Sequence, residues 1–209
     1  MKIIDISVPI DDKTPLWPGN VGPKIKSLSN IENGSVYNET SIEVNVHTGT
    51  HIDAPLHFIK NGQSIDRMNL SIFIGSVFIV YLPDVREITA KDLEKINLPE
   101  NVNRILFKTS NSLLWNRDNS EFEKEYVGIT SDAATWLVEK QITLVGIDYI
   151  SIATFKETVE VHNILLKEGI AVLEAINLVN VEEGNYKLVC LPIKITNAEG
   201  APARAVLIK

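Results

Sequence analysis

A chain of 209 residues, 44% hydrophobic and 22% charged, is long enough for one domain, 1–209, with a substantial buried core. Its formal net charge of -7, with no cluster of lysine or arginine, argues against nucleic acid, which needs a basic face, and fits plain solubility. The lone Cys190 excludes an internal disulfide, and no run approaches the roughly 20 apolar residues that span a bilayer. Without a secretory leader at MKIIDISVPI, the expected location is cytoplasmic and no membrane partner is expected.

Residues 2–10 alternate Ile4, Ile6, Val8 and Ile10 with polar neighbours, which predicts a strand. The following DDKTPLWPGN is a proline-broken loop carrying Trp17, whose ring either faces a ligand or covers an apolar edge or a subunit contact. Lys24–Leu28 and Ser41–Val46 read as strands around an Asn33-Gly34 turn, with Ile42, Val44 and Val46 on the buried face and His47 at the strand end.

Beyond His57 comes the turn segment NGQSIDRMNL, then FIGSVFIVYLP, continuously apolar as in a strand buried on both faces. AKDLEKI, capped by Thr89, predicts a short helix, and RILFK another buried strand. Thr109 to Tyr126 is polar and irregular, with Trp115 and Phe122 packing locally. SDAATWLVEKQ reads as a helix, TLVGIDYI as a strand, and ETVEVHNILLKEG as a helix through Val159, His162 and Leu166 closed by Gly169. The strand IAVLEAINL, the strand LVCLPIKI with Cys190 as a buried thiol, the turn NAEGAPA and the strand RAVLIK complete a mixed α/β pattern.

Three of the four histidines, His47, His51 and His57, fall in SIEVNVHTGTHIDAPLHF together with Asp53. Thr48-Gly49-Thr50 and Pro55 disfavour a helix, so an ordered loop is expected, bent so that His47, His51 and Asp53 converge. Two imidazoles and a carboxylate suit zinc and tolerate manganese or iron, and fewer than four protein ligands leave room for water. Glu174 interrupts an apolar strand, where a carboxylate without a partner costs several kcal/mol, so it needs a cation. His162 and Glu174 on adjacent elements then form a second half of the same site.

Five ligands exceed what one zinc usually holds. Either one coordination shell is expanded, or two metals share Asp53 or Glu174 as a bridge; two metals are the favoured arrangement. Asp148 is a further candidate ligand, with loop capping as its plainer role. His57, four residues beyond Asp53, suits a proton carrier beside the metal; a fourth ligand is the competing role.

HTGTHIDAPLHF resembles the HxGTHxDxPxHF signature of the metal-dependent cyclase family, which includes bacterial kynurenine formamidases and isatin hydrolase. The DIS opening, Trp17 before Pro-Gly, the VGID strand, the His162 helix, the Glu174 strand and GAPARAVL extend the resemblance over nearly the whole chain. It implies a swivelling β/β/α fold with a mixed sheet and flanking helices, assembled as a homodimer or homotetramer with the site near the subunit interface. It also implies that His47, His51 and Asp53 bind one zinc and that Asp53 bridges to a second held with His162. Glu174 would then touch both, His57 would transfer protons, and Trp17 would contact substrate.

The implied reaction is hydrolysis of an amide, formamide or cyclic amide, with N-formylkynurenine the first candidate and an isatin-like lactam the second. YISIATFKETVE departs from the Ser/Pro-rich segment with Asp-Pro of kynurenine formamidases, which puts the substrate in question but not the metal chemistry. A competing reading from another class is a non-catalytic metal-binding protein with a closed coordination shell.

Overall fold

The structure is a computed structural model describing residues 1–100, 102–116 and 121–209. Its strands in chain order are β1 (Ile3–Asp5), β2 (Lys24–Ser29), β3 (Glu39–Glu43), β4 (His51–Asp53), β5 (Ile74–Leu82), β6 (Arg104–Thr109), β7 (Leu144–Ile147), β8 (Ala171–Glu174), β9 (Gly184–Val189), β10 (Gly200–Pro202) and β11 (Val206–Ile208). Three α-helices accompany them: α1 (Ala90–Leu93), α2 (Ser131–Glu139) and α3 (Thr158–Lys167).

Nine strands form one sheet in the order β1-β11-β9-β5-β6-β7-β8-β4-β10. Its centre, β5 to β8, is parallel. A parallel pair needs a long crossover, and among the described residues each of the three crossovers here carries one α-helix. All three helices pack on one face of the sheet, because consecutive right-handed crossovers return on the same side. Antiparallel strands flank this centre: β9, β11 and β1 on one side, β4 and β10 on the other.

Side-chain alternation splits the core in two. Val80, Ile105, Phe107, Val145, Ile147 and Val172 face the helices, against Leu137, Val161 and Leu165. Val77, Ile79, Leu106, Leu144 and Leu173 face the opposite way and are covered by Ile6, Ile65, Met68 and Leu178. The architecture is the mixed α/β sheet with flanking helices read from the sequence. Cys190 is buried as expected, with its thiol pushed up to about 12 by desolvation.

Several local readings are corrected. The strand predicted over 2–10 runs in a regular ladder only at Ile3–Asp5, although Ile6 and Val8 are buried and hydrogen-bonded beyond it. β2 and β3 pair with each other as a separate hairpin, and on the face that alternation marks as apolar Ile42 is 55% exposed while Val44 and Val46 are half-buried. β3 ends at Glu43, so His47 sits in a turn, where Asn45 Oδ1 accepts from its N–H at 2.8 Å.

β5 is enclosed in its middle, at Val77, Ile79 and Val80, but Ile74 and Tyr81 near its ends are exposed. Thr89 caps α1 through the Asp92 carboxylate, yet α1 stops at Leu93 rather than Ile96. Ser110–Asn116, read as irregular, is a 3-10 helix; the rest of that stretch includes 117–120, outside the described residues. On α3 the buried face is Val161, His162, Leu165 and Leu166, with Val159 turned outward. Among the described residues no helix is long and apolar enough to cross a membrane.

Candidate metal centre

The ordered loop expected around His51 is instead a strand. β4 lies between β8 and β10 and pairs antiparallel with both. Three residues are too few for a periodic signal, and the ladders on either side hold them extended. Period-2 alternation then does what a bent loop was expected to do: His51 and Asp53 share the helix-facing side, while Ile52 enters the opposite core beside Leu173. The register sets Glu174 directly across from His51, and α3 lowers the buried His162 onto the same face.

Local devices lock this strand. Gly49 has φ +64°, and a Cβ there would stand 2.8 Å from Ile10 Cγ1, so neither its backbone nor its surroundings admit a side chain. Thr50 Oγ1 accepts from Val8 N at 2.8 Å and donates to the Ala175 carbonyl, tying the chain next to His51 to the chain next to Glu174. Ala175 itself holds φ +54°, a conformation costing on the order of 1 to 3 kcal/mol that its surroundings must over-determine. Gly200 on β10 passes under His47: a Cβ there would meet Ile52 O at 2.8 Å and His47 Cε1 at 3.1 Å.

The donors converge closely. Asp53 Oδ1 is 2.8 Å from His47 Nδ1 and 3.4 Å from His51 Nε2, and Asp53 Oδ2 is 3.6 Å from His162 Nε2. Glu174 Oε2 is 3.4 Å from His51 Nε2, and Glu174 Oε1 is 3.3 Å from His162 Nε2 while accepting from Ile152 N at 2.6 Å. His47, His51 and Asp53 form one group able to hold a metal ion; Asp53, His162 and Glu174 form a second.

His51 Nδ1 lies 2.9 Å from the Gly49 carbonyl and His162 Nδ1 lies 2.6 Å from that of Thr158. A carbonyl only accepts, so both Nδ1 atoms carry hydrogen, and each ring turns Nε2 toward the two carboxylates, where it offers a lone pair to a metal once its proton leaves. His51 Nε2, Asp53 Oδ2 and His47 Nε2 are buried without a hydrogen-bond partner among the described residues. A divalent cation fits the two of these that face the cluster, His51 Nε2 and Asp53 Oδ2.

The electrostatics agree. Burial opposes charge on His51 and His162, but Asp53 and then Glu174 outweigh it and raise both imidazoles to about 10. Burial also opposes ionisation of Asp53, yet His47, His162 and His51 hold its carboxyl well below the usual carboxylate range. Glu174 is lowered as well: His162 and His51 overcome both burial and repulsion from Asp53. Without a metal, protons on His51 and His162 thus balance the two carboxylates.

His57 ends the 3-10 turn Pro55–His57 and stacks on His47, ring centroids 4.1 Å apart, outside both donor groups. Burial lowers its imidazole further than the Asp53 charge raises it, so it is neutral at neutral pH. Trp17 stacks on Phe155 at 5.4 Å and meets Phe122 edge-on. A cavity of about 520 Å³ opens above the cluster, lined by Trp17, Phe155, His57, His162, Glu174 and Glu199 among others. Asp148 is apart from it: its buried carboxylate accepts from the N–H and hydroxyl groups of Thr109 and Ser112, the capping role that was its plainer reading.

Phe155 and Glu199 carry no local signal of their place at the cavity, since both arrive there by long-range pairing. Comparison with known proteins now adds to this geometry. The Cyclase family model matches residues 4–154. The chain belongs to the cyclase family. The match takes in His47, His51, Asp53 and His57 of this cyclase chain and stops short of His162 and Glu174.

Full-length relatives cover the remainder. The cyclase chain is 38% identical to cyclase-like protein 1 of Arabidopsis thaliana, over 100% of the chain and 85% of that protein. It is 37% identical to a kynurenine formamidase of Bacillus cereus, over 98% and 96%. A solved structure described as a potential metal-dependent hydrolase with cyclase activity superimposes with a TM-score of 0.86 at 32% identity, covering 99% of this cyclase chain and 96% of that one.

Proposed function

We propose that this chain is a metal-dependent hydrolase of amide bonds, acting on an aryl formamide such as N-formylkynurenine to release an aryl amine and formate. One observation carries the reading: two donor groups sharing the buried Asp53 reach the floor of an open cavity through His47, His162 and Glu174, and the wall of that cavity holds a neutral imidazole, His57. The room beside the donors favours catalysis over a closed metal-binding role. Two ions, zinc first and manganese second, match two groups joined at one carboxylate: His47, His51 and Asp53 hold one, and Asp53, His162 and Glu174 the other.

Bound there, divalent metal supplies Lewis acidity toward the substrate carbonyl and lowers the pKa of water. The chain's own residues do the rest. Trp17 and Phe155 offer a stacked aromatic wall for a planar ring. His57, neutral and within the cavity, accepts the proton that water loses as it attacks the formyl carbon. It then returns that proton to the nitrogen as the C–N bond breaks. The formamide choice is supported by the Bacillus cereus relative, and the divergent stretch 149–160 lies on the cavity side of α3.

Purified protein assayed on N-formylkynurenine and on an isatin-like lactam, with zinc and then manganese, tests the substrate. Turnover of the formamide is expected; turnover of the lactam alone moves the assignment to cyclic amides, and silence on both rejects both substrates. His57→Ala is expected to keep its metal content and lose about 10²- to 10⁴-fold in turnover. Loss of metal in that variant would make His57 a ligand and remove it as the proton carrier.

A further inference from the structure

The three histidines of the floor differ in what holds the nitrogen turned away from it. For His51 it is the carbonyl of Gly49, two residues back, and for His162 the carbonyl of Thr158, one helical turn back. Both are neutral, local acceptors. His47 meets Asp53 through Nδ1, so its outward nitrogen is Nε2, which is buried and lacks a hydrogen-bond partner among the described residues. What faces it is a carboxylate: Glu199 Oε1 stands 3.6 Å away.

Glu199 is placed there by the sheet. Its carbonyl accepts from Ala54 N at 2.8 Å, and the next residue, Gly200, begins β10 and passes beneath His47 where no Cβ fits. The main chain is therefore pinned while the side chain, 44% exposed, can shift the few tenths of an ångström that turn 3.6 Å into a hydrogen bond. A carboxylate behind a metal-binding imidazole fixes its tautomer and orientation and makes its inner nitrogen a stronger donor.

We infer that Glu199 is a positioning residue, the outer carboxylate that accepts from His47 Nε2–H and aims Nδ1 into the metal site. The inference rests on the metal reading proposed above. It gives His47, which sits in a turn rather than on a strand or helix, the support that β4 and α3 give the other two histidines.

Zinc affinity decides it, measured by competition with a chromogenic chelator on the full chain, without substrate. Wild type, Glu199→Gln, Glu199→Ala and His51→Ala are compared after circular dichroism shows that each is folded. Glu199→Ala is expected to weaken zinc binding about 10- to 100-fold, and Glu199→Gln, which keeps the shape and loses the charge, by an intermediate factor. The imidazole ¹⁵N signals of His47 are expected to move in both variants while those of His51 and His162 stay.

Unchanged zinc affinity in both Glu199 variants overturns the inference, as does a change confined to KM, which would make Glu199 a substrate contact. In either case His51→Ala still loses zinc and the metal reading stands. Failure of the wild-type chain to bind zinc at all would end both.

Discussion

The floor and the wall of the cavity are built on different principles. Of the five floor residues, His51, Asp53 and Glu174 are buried on strands paired on both sides and His162 is buried on α3; only His47 sits in a turn. His57, Trp17 and Phe155 are only partly buried and ride on a 3-10 turn and loops. A metal shell tolerates errors of a few tenths of an ångström, so the floor is tied into the sheet; a substrate must enter and leave, so the wall is not. Damage to the floor should therefore abolish the chemistry, and damage to the wall should tune it.

The harshest break is Asp53→Asn, since Asp53 faces all three histidines of the floor. Its metal content, read by plasma emission spectroscopy, is expected to fall to zero together with turnover. The metal-free variant is also expected to lose about 3 to 5 kcal/mol of stability in urea, the usual cost of removing one partner of a buried charge network. A variant that kept both metals and wild-type stability would show that the floor is not organised around this carboxylate.

A gentler break uses pH. In the metal-free chain His51 and His162 are raised to about 10 from an ordinary 6.5. Their contribution to stability is complete below pH 6.5 and disappears as pH rises through about 10. Each ion must displace the proton of one of these histidines, so its affinity runs the other way, rising by up to about 10-fold per pH unit as far as pH 10. Melting temperature with and without zinc is expected to diverge steadily from pH 6.5 to 9. A gap that stays constant would mean that no protons leave the floor on binding.

Much of this floor could be read in advance because its donors stand out against their surroundings. A glutamate in the apolar run IAVLEAINL and a histidine on the buried stripe of α3 announce themselves by position. The helices, β7 and β8 follow from periodicity for the same reason. β4 does not: three residues carry no period, and only the ladders to β8 and β10, more than a hundred residues away, make them a strand. Glu199 was hidden likewise, since its place behind His47 depends on that pairing. Ile42 lies on the face that reads as apolar and is exposed in the single chain, because alternation marks which side is apolar and not what covers it.

The mildest break concerns the wall. Trp17 has a ready structural explanation in packing, as it already stacks on Phe155 and meets Phe122 edge-on. The two roles separate in kinetics. An aromatic contact with substrate is worth about 0.5 to 1.5 kcal/mol, so Trp17→Ala is expected to raise KM about 2- to 10-fold with kcat and metal content nearly unchanged. Trp17→Phe should recover most of that loss. If Phe155→Ala alone raises KM and Trp17→Ala then adds nothing, Trp17 acts by holding Phe155 flat; if the two effects multiply, each ring touches the substrate for itself. A change in melting temperature with no change in KM would return Trp17 to the packing role.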